Sequence, residues 1–301
     1  MEDIIRCEGL TKRFGTFTAL DALDLRVGPG TVFGYLGPNG AGKSTTLRML
    51  VGLTRPVAGK CAVFGQDPAS SPAMRARLGY VPGELRLDDR MTVGGTLELW
   101  TRIRGMTETK YRDELLQRFD IDPGRAVRGL STGNRRKVGL IGAFMGKPEL
   151  LILDEPTNGL DPLMQQQFLA AIEEAKDEGR TVLLSSHVLS EVERVADTVA
   201  VLRKGRLVAQ GRLTDLVQDV RQTFRIQFES EPVPVDEITR LPGATEVEVV
   251  GTTVNLRWTG APESLLAVLG RHRLRAMRAP EPELEEAFLR FYEDATEGAD
   301  R

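Results

Sequence analysis

The sequence predicts an α/β fold: a mainly parallel sheet covered on both faces, a helical insert within it, and a small α+β domain after it. Three observations carry this. Short apolar runs at 31–36, 150–153 and 181–185 are continuous rather than alternating, the pattern of strands buried on both faces. Segments of helical spacing separate them, and strands that alternate with helices close into a parallel sheet. Past residue 220 the pattern becomes one of short alternating strands, at 224–228, 245–250 and 253–258.

In chain order, 4–10 reads as a first strand and Thr11-Lys12-Arg13-Phe14-Gly15 as a turn. Leu23, Leu25 and Val27 alternate on one face of a strand over 20–27, and Gly28-Pro29-Gly30 turns into the strand at 31–36. A helix follows at 46–53, a strand at 59–64, a short helix at 72–78 and a brief strand and turn at 79–82. Apolar residues recur at helical spacing over 92–104 and 110–119, so 83–128 is a mostly helical insert, and short helices surround 131–145. The strand at 150–153 ends in Asp154-Glu155; an amphipathic helix at 162–178 closes at Gly179. A strand at 181–185, a helix at 189–196 and a hairpin of 198–203 with 206–211 around Lys204-Gly205 complete this part. The remainder, with a helix at 262–269, a strand at 274–277 and a last helix at 282–292, is long enough for a modest core of its own. The small, polar tail after Asp294 is expected to fray.

Length and composition set the bounds. A chain of 301 residues has room for about two domains. With 41% hydrophobic and 28% charged residues it is ordinary for a globular protein, and a net charge of −3 gives no electrostatic footprint for nucleic acid. The two cysteines, Cys7 and Cys61, have no paired metal or redox spacing and read as small buried side chains in a reducing compartment. No apolar run approaches the ~20 residues of a membrane helix, and no signal peptide opens the chain. Any membrane role is therefore expected to pass through a partner.

Gly37-Pro38-Asn39-Gly40-Ala41-Gly42-Lys43-Ser44-Thr45 follows the pattern of Gly, four residues, Gly-Lys, then Ser or Thr, between an apolar strand and a helix. Glycines let successive backbone N–H groups converge on one point, and the helix adds its unsatisfied N-terminal donors. Lys43 brings a full charge to the outer phosphates, and the Ser44 hydroxyl is a hard oxygen suited to Mg2+. This is the composition of a nucleoside-triphosphate site; a ligand-free glycine turn is the bland alternative. Asp154, at the C-terminal end of a buried strand, can hold Mg2+ through water. Glu155, next in line, points the other way and can polarise an attacking water. A carboxylate pair after a strand is otherwise a helix cap or a solvated turn.

Further motifs narrow the reading. Leu130-Ser131-Thr132-Gly133-Asn134 resembles the signature loop of the ATP-binding cassette (ABC) ATPases, usually Leu-Ser-Gly-Gly-Gln, and lies upstream of the Asp-Glu strand as in that family. Asn158-Gly159-Leu160-Asp161 resembles its dimer-contact loop, His187 after Leu184-Ser185-Ser186 its switch histidine, and Phe14 its adenine-stacking aromatic. The resemblance covers roughly 1–215, with a helical subdomain about 83–145 and an accessory domain at 220–301. It implies a P-loop cassette that binds ATP with Mg2+ through Phe14, Asn39, Gly40, Ala41, Gly42, Lys43, Ser44, Thr45 and Asp154, with Ser44 and Asp154 as metal ligands. It also implies a head-to-tail dimer in which Ser131 and Gly133 of a second copy reach the γ-phosphate. Glu155 would be the general base, His187 would hold the γ-phosphate and orient the site, and Asp161 would steady the opposing site. Residues 83–87 and the accessory domain resemble the subgroup that serves ABC-2-type exporters, including drug-resistance pumps.

On that resemblance the chain is the ATP-hydrolysing subunit of an exporter, cytoplasmic and held at the inner face of the cell membrane by a separate transmembrane permease. A soluble ABC protein acting on ribosomes or DNA is disfavoured by the single phosphate loop and the modest insert; an importer cassette is the other alternative. Two departures stand out. Gly83 replaces the usual Gln that touches Mg2+ and the water, and Thr132 and Asn134 replace the usual Gly and Gln of the signature. The cluster Arg135-Arg136-Lys137 is expected on the exposed side of the signature helix, and the basic strand at 271–278 on a solvated sheet face.

Overall fold

The computed structural model describes residues 3–213, 215, 222–259 and 262–279. The chain divides into two compact units, Met1–Leu213 and Thr214–Arg301. In the first, β1 (Ile5–Phe14), β2 (Phe17–Val27) and β4 (Ala58–Val63) form an antiparallel sheet in the order β2-β1-β4. Alternation along β2 places Leu23, Leu25 and Val27 in the core with Ile5, Cys7 and Leu10 of β1. The turn expected at 11–15 is instead strand. β1 runs on to Phe14, which pairs with Phe17, and register shifts at Leu10 and Lys12 let it follow both neighbours. Cross-strand pairing overrides the local turn signal there.

The second sheet has six strands in the order β5-β6-β7-β3-β8-β9. These are β3 (Val32–Leu36), β5 (Leu78–Val81), β6 (Leu150–Asp154), β7 (Thr181–Ser186), β8 (Thr198–Arg203) and β9 (Arg206–Arg212). All pairs are parallel except β8 with β9. Every residue of β3, β6 and β7 is buried, as their continuous apolar runs require. Each fully buried Leu, Val or Phe contributes about 1.5–3 kcal/mol of transfer free energy, so these strands form a rigid floor whose C-terminal ends all open on one edge.

Helix α1 (Lys43–Leu50) follows β3, α2 (Pro72–Ala76) precedes β5, and α7 (Leu189–Glu193) follows β7, shorter than the expected 189–196. The insert is built from α3 (Val93–Ile103), α4 (Lys110–Arg118) and α5 (Thr132–Phe144). The region 131–145 is thus one helix rather than several. It is capped by Ser131, whose Oγ accepts from the Asn134 N–H at 3.3 Å, and is buried on all sides from Arg136 to Phe144. Helix α6 (Pro162–Asp177) starts as its sequence dictates: Asp161 accepts from the Met164 N–H at 3.0 Å and Pro162 supplies the first turn. Met164, Phe168, Ala171, Ile172 and Ala175 then line its buried face.

The second unit, taken by itself, is an antiparallel sheet in the order β11-β12-β10-β13. Its strands are β10 (Gln222–Phe228), β11 (Ala244–Val250), β12 (Thr253–Trp258) and β13 (Leu274–Arg278). With α8 (Val235–Thr239) and α9 (Glu263–Leu269) it makes a split β-α-β-β-α-β arrangement. Phe224, Ile226 and Phe228 of β10 meet Val254, Leu256 and Trp258 of β12 under Ile238, Leu265 and Leu269. Helix α8 has no counterpart in the sequence reading, because five residues are too few to show a period. Arg271 and Arg273 before the last strand, and Arg275 and Arg278 on it, are exposed. The helix expected at 282–292 and the polar tail lie outside the described residues.

Candidate functional site

The site grows from the edge where β5, β6, β7 and β3 end side by side, the position at which open α/β sheets bind ligands. After β3 the backbone must turn sharply beside β8. A Cβ on Gly37 would lie 2.4 Å from the Leu202 carbonyl oxygen. Gly42 adopts φ +111° against Ala19 and caps α1, so both positions demand glycine. Asn39, Gly40, Ala41, Gly42, Lys43, Ser44 and Thr45 line a cleft of about 220 Å³ with Pro38, Phe17, Ala19 and Glu155. Lys43 is buried; its Nζ donates to the Gly37 carbonyl at 2.5 Å and lies 3.1 Å from Glu155 Oε1.

β6 delivers the two carboxylates in opposite senses. Asp154 is fully buried, which a carboxylate tolerates only when its oxygens are satisfied. Ser44 Oγ and Ser185 Oγ donate to its Oδ1 at 3.1 and 2.8 Å, and the Gly83 N–H donates to Oδ2 at 3.2 Å. Glu155 has φ +47°, a conformation that costs a non-glycine residue free energy and tends to be kept at functional sites. Its backbone N–H donates to Ser185 Oγ at 3.1 Å. Its side chain turns between two cations or donors: Oε1 toward Lys43, in ion-pair contact without hydrogen-bond alignment, and Oε2 toward His187 Nδ1 at 2.8 Å. Because a carboxylate only accepts, the proton of that bond sits on Nδ1.

The donor set at Ser44 and Asp154 suits Mg2+, which takes hard oxygens, keeps several waters and uses one or two carboxylates beside substrate phosphates. Among the described residues no group of three or more His, Cys, Asp or Glu could hold a metal alone. Ser44 and Asp154 would share such an ion with substrate phosphates.

Other predicted residues stand apart from this cleft. Ser131 caps α5, and Gly133 packs on the 158–161 loop, where a Cβ would meet the Gly159 carbonyl oxygen at 2.2 Å. Neither lines the cleft around Lys43. Asp161 caps α6. Phe14, 54% exposed, stands at the hairpin tip with Lys12 Nζ 5.2 Å from its ring centre, while its cross-strand partner Phe17 is the aromatic that lines the cleft. Phe17 was legible only as a second aromatic just past Gly15. The basic cluster is not an exposed face: Arg136 and Lys137 are buried, and Arg135 pairs with Asp89 at 2.7 Å. A helix covered on all sides has no solvated stripe to offer them. Glu191, unmarked by any motif, accepts from Thr157 Oγ1 and Ser186 Oγ at 2.7 and 3.0 Å and ties the segment before His187 to the one after Glu155.

Comparison with known proteins gives the same direction. The profile of the ABC transporter family matches residues 20–158. The Nod factor export ATP-binding protein I of Ralstonia nicotianae is 34% identical over 96% of this chain and 93% of its own. The daunorubicin resistance ATP-binding protein DrrA3 of Streptomyces coeruleorubidus is 42% identical over 70% of this chain and 69% of its own. A solved structure of an ATP-binding subunit of an ABC transporter superposes with TM-score 0.67 at 31% identity, covering 71% of this chain and 92% of that one. Among the described residues no helix is long and apolar enough to cross a membrane.

Proposed function

The chain belongs to the ABC transporter family as an ATP-binding subunit, and from that premise we propose that it powers export through a separate transmembrane permease by hydrolysing ATP between two of its copies. The supporting observation is the division of the site. Lys43, Ser44, Asp154, Glu155 and His187 converge at one sheet edge, while Ser131 and Gly133, at the start of α5, do not line that cleft and Gly133 packs on Gly159. A second chain, turned head to tail, brings its α5 N-terminus, with unsatisfied N–H donors and a favourable dipole, to the γ-phosphate. The relatives' printed functions, Nod factor export and daunorubicin resistance, favour export over import.

In this reading Lys43 turns from Glu155 to the phosphate oxygens when ATP enters, because their greater negative charge competes for its ammonium. Oε1 of Glu155 is then free to take the proton of the attacking water, while His187 holds Oε2 and fixes the carboxylate plane. Ser44 and Asp154 would hold Mg2+, which would supply charge neutralisation at the phosphates. The loop amides of 39–45 fix the phosphate chain, and Phe14 and Phe17 at the hairpin tip supply the platform for adenine. Asp161 orders the loop that meets the partner copy.

A mixing experiment tests the shared site. Lys43→Ala and Ser131→Arg, each alone, are expected to abolish ATP turnover; mixed, they are expected to recover part of it. A mixed dimer joins one intact phosphate loop to one intact signature loop. No recovery on mixing would place the whole site within one chain. Phe17→Ala and Phe14→Ala are each expected to weaken ATP binding by about 1–3 kcal/mol, the scale of base–aromatic stacking. Calorimetric titration reads this, and an unchanged affinity in either variant assigns that ring to anchoring the hairpin.

A further inference from the structure

Where the resemblance leads one to expect a glutamine side chain, this chain has Gly83, which offers only its backbone. The Gly83 N–H donates to Asp154 Oδ2 at 3.2 Å, and a Cβ there would lie only 3.0 Å from the same oxygen. The carboxylate is thus held by an amide that no side chain separates from it. An amide in a loop is useful only if the loop is held. We propose that Arg136 is the positioning residue that does this: its guanidinium grips the carbonyls of Pro82 and Gly83, one on each side of the Gly83 Cα, and keeps the Gly83 amide on Asp154.

The geometry is specific. Arg136 Nη1 donates to the Pro82 carbonyl oxygen at 2.6 Å and Nη2 to that of Gly83 at 2.7 Å. The residue is 6% exposed, so the bonds form out of water, where a charged donor counts for most. Burial disfavours its charged form, and the carboxylates of Asp154 and Glu155 act against that. A planar fork can serve two adjacent carbonyls at once, which a lysine ammonium cannot do with the same fixity. One turn along the same helix, Leu85 packs on Gly139, where a Cβ would be 2.5 Å from Leu85 Cδ2. The loop at 82–85 is therefore gripped twice by α5, the helix whose first residues carry Ser131 and Gly133. Arg136 links the metal-side carboxylate to the signature loop of its own chain and does not line the cleft around Lys43.

This inference rests on Ser44 and Asp154 being the metal site, and the test keeps the two apart. Amide exchange at Gly83 is measured in metal-free, nucleotide-free protein for wild type, Arg136→Met and Arg136→Lys. Both variants are expected to accelerate Gly83 exchange by about tenfold or more, the scale of losing charge-assisted hydrogen bonds, with the amides of 151–153 unchanged. The Mg2+ concentration for half-maximal hydrolysis is expected to rise about tenfold, with the KM for ATP at saturating Mg2+ unchanged. Should Arg136→Met fail to fold, Arg136→Lys decides. Unchanged Gly83 exchange in either folded variant overturns the proposal, as does a general loosening that includes 151–153. Ser44→Ala tests the metal reading separately: an unaltered Mg2+ requirement there defeats that reading, whereas the clamp stands or falls on Gly83 exchange.

Discussion

Glu155→Gln is expected to lower kcat for ATP hydrolysis by about 10²–10⁴-fold, the usual worth of a positioned general base. That corresponds to about 3–5 kcal/mol on the barrier. The substitution is close to isosteric, so the arrangement around it survives. Glutamine's carbonyl oxygen can still face Lys43, and its amide can donate to His187 Nδ1 once the ring carries its proton on Nε2 instead. What goes is the ability to take a proton and one negative charge next to the phosphates. Removing that charge favours bound ATP, so the ATP-bound dimer is expected to persist. Phosphate release at saturating ATP reads the first effect, and size-exclusion chromatography with ATP reads the second. A fall of less than tenfold would sink the base assignment and leave Glu155 as a partner that only orients Lys43 and His187. His187→Ala offers the contrast. It removes the Nδ1 bond to Oε2 but leaves the base, so its kcat is expected between wild type and Glu155→Gln.

The sheet floor was legible from sequence because uninterrupted apolar strands have one home, between two layers. The runs at 150–153 and 181–185 are the buried cores of β6 and β7, and the residues just past them, Asp154, Glu155 and His187, come together at the edge. The phosphate loop was legible for a different reason: its glycines answer to backbone geometry, which leaves a fixed spacing. What escaped depends on contacts between distant segments. The strand through 11–14 is held by pairing with β2 and β4. Arg136 looks like surface charge until the carbonyls of Pro82 and Gly83 are seen against it. Ser185 marks only the approach to His187 and Glu191 carries no motif, yet the first satisfies Asp154 and the second fastens the segment before His187. Polar residues that serve other polar residues leave no period in the sequence.

Lys43→Ala is expected to show two losses that a second substitution can separate. In the free protein Lys43 satisfies the Gly37 carbonyl and faces Glu155, whose side chain is only 12% exposed. Removing the ammonium leaves that carboxylate without its cation, at a cost of about 1–3 kcal/mol in stability. Toward ATP the same ammonium is the loop's one full charge, and its loss is expected to weaken binding about 10²-fold, on the scale of two hydrogen bonds to charged groups. Adding Glu155→Gln to Lys43→Ala removes the stranded carboxylate. The denaturation midpoint should then move back toward wild type. Affinity for ATP should stay low, because no charge has been returned to the phosphates. A double-mutant cycle read by urea denaturation and by nucleotide titration gives the two couplings independently. Recovery of ATP affinity in the double variant would mean that Lys43 acts mainly by neutralising Glu155. Failure of the midpoint to recover would mean that its anchoring of the Gly37 carbonyl outweighs the ion pair.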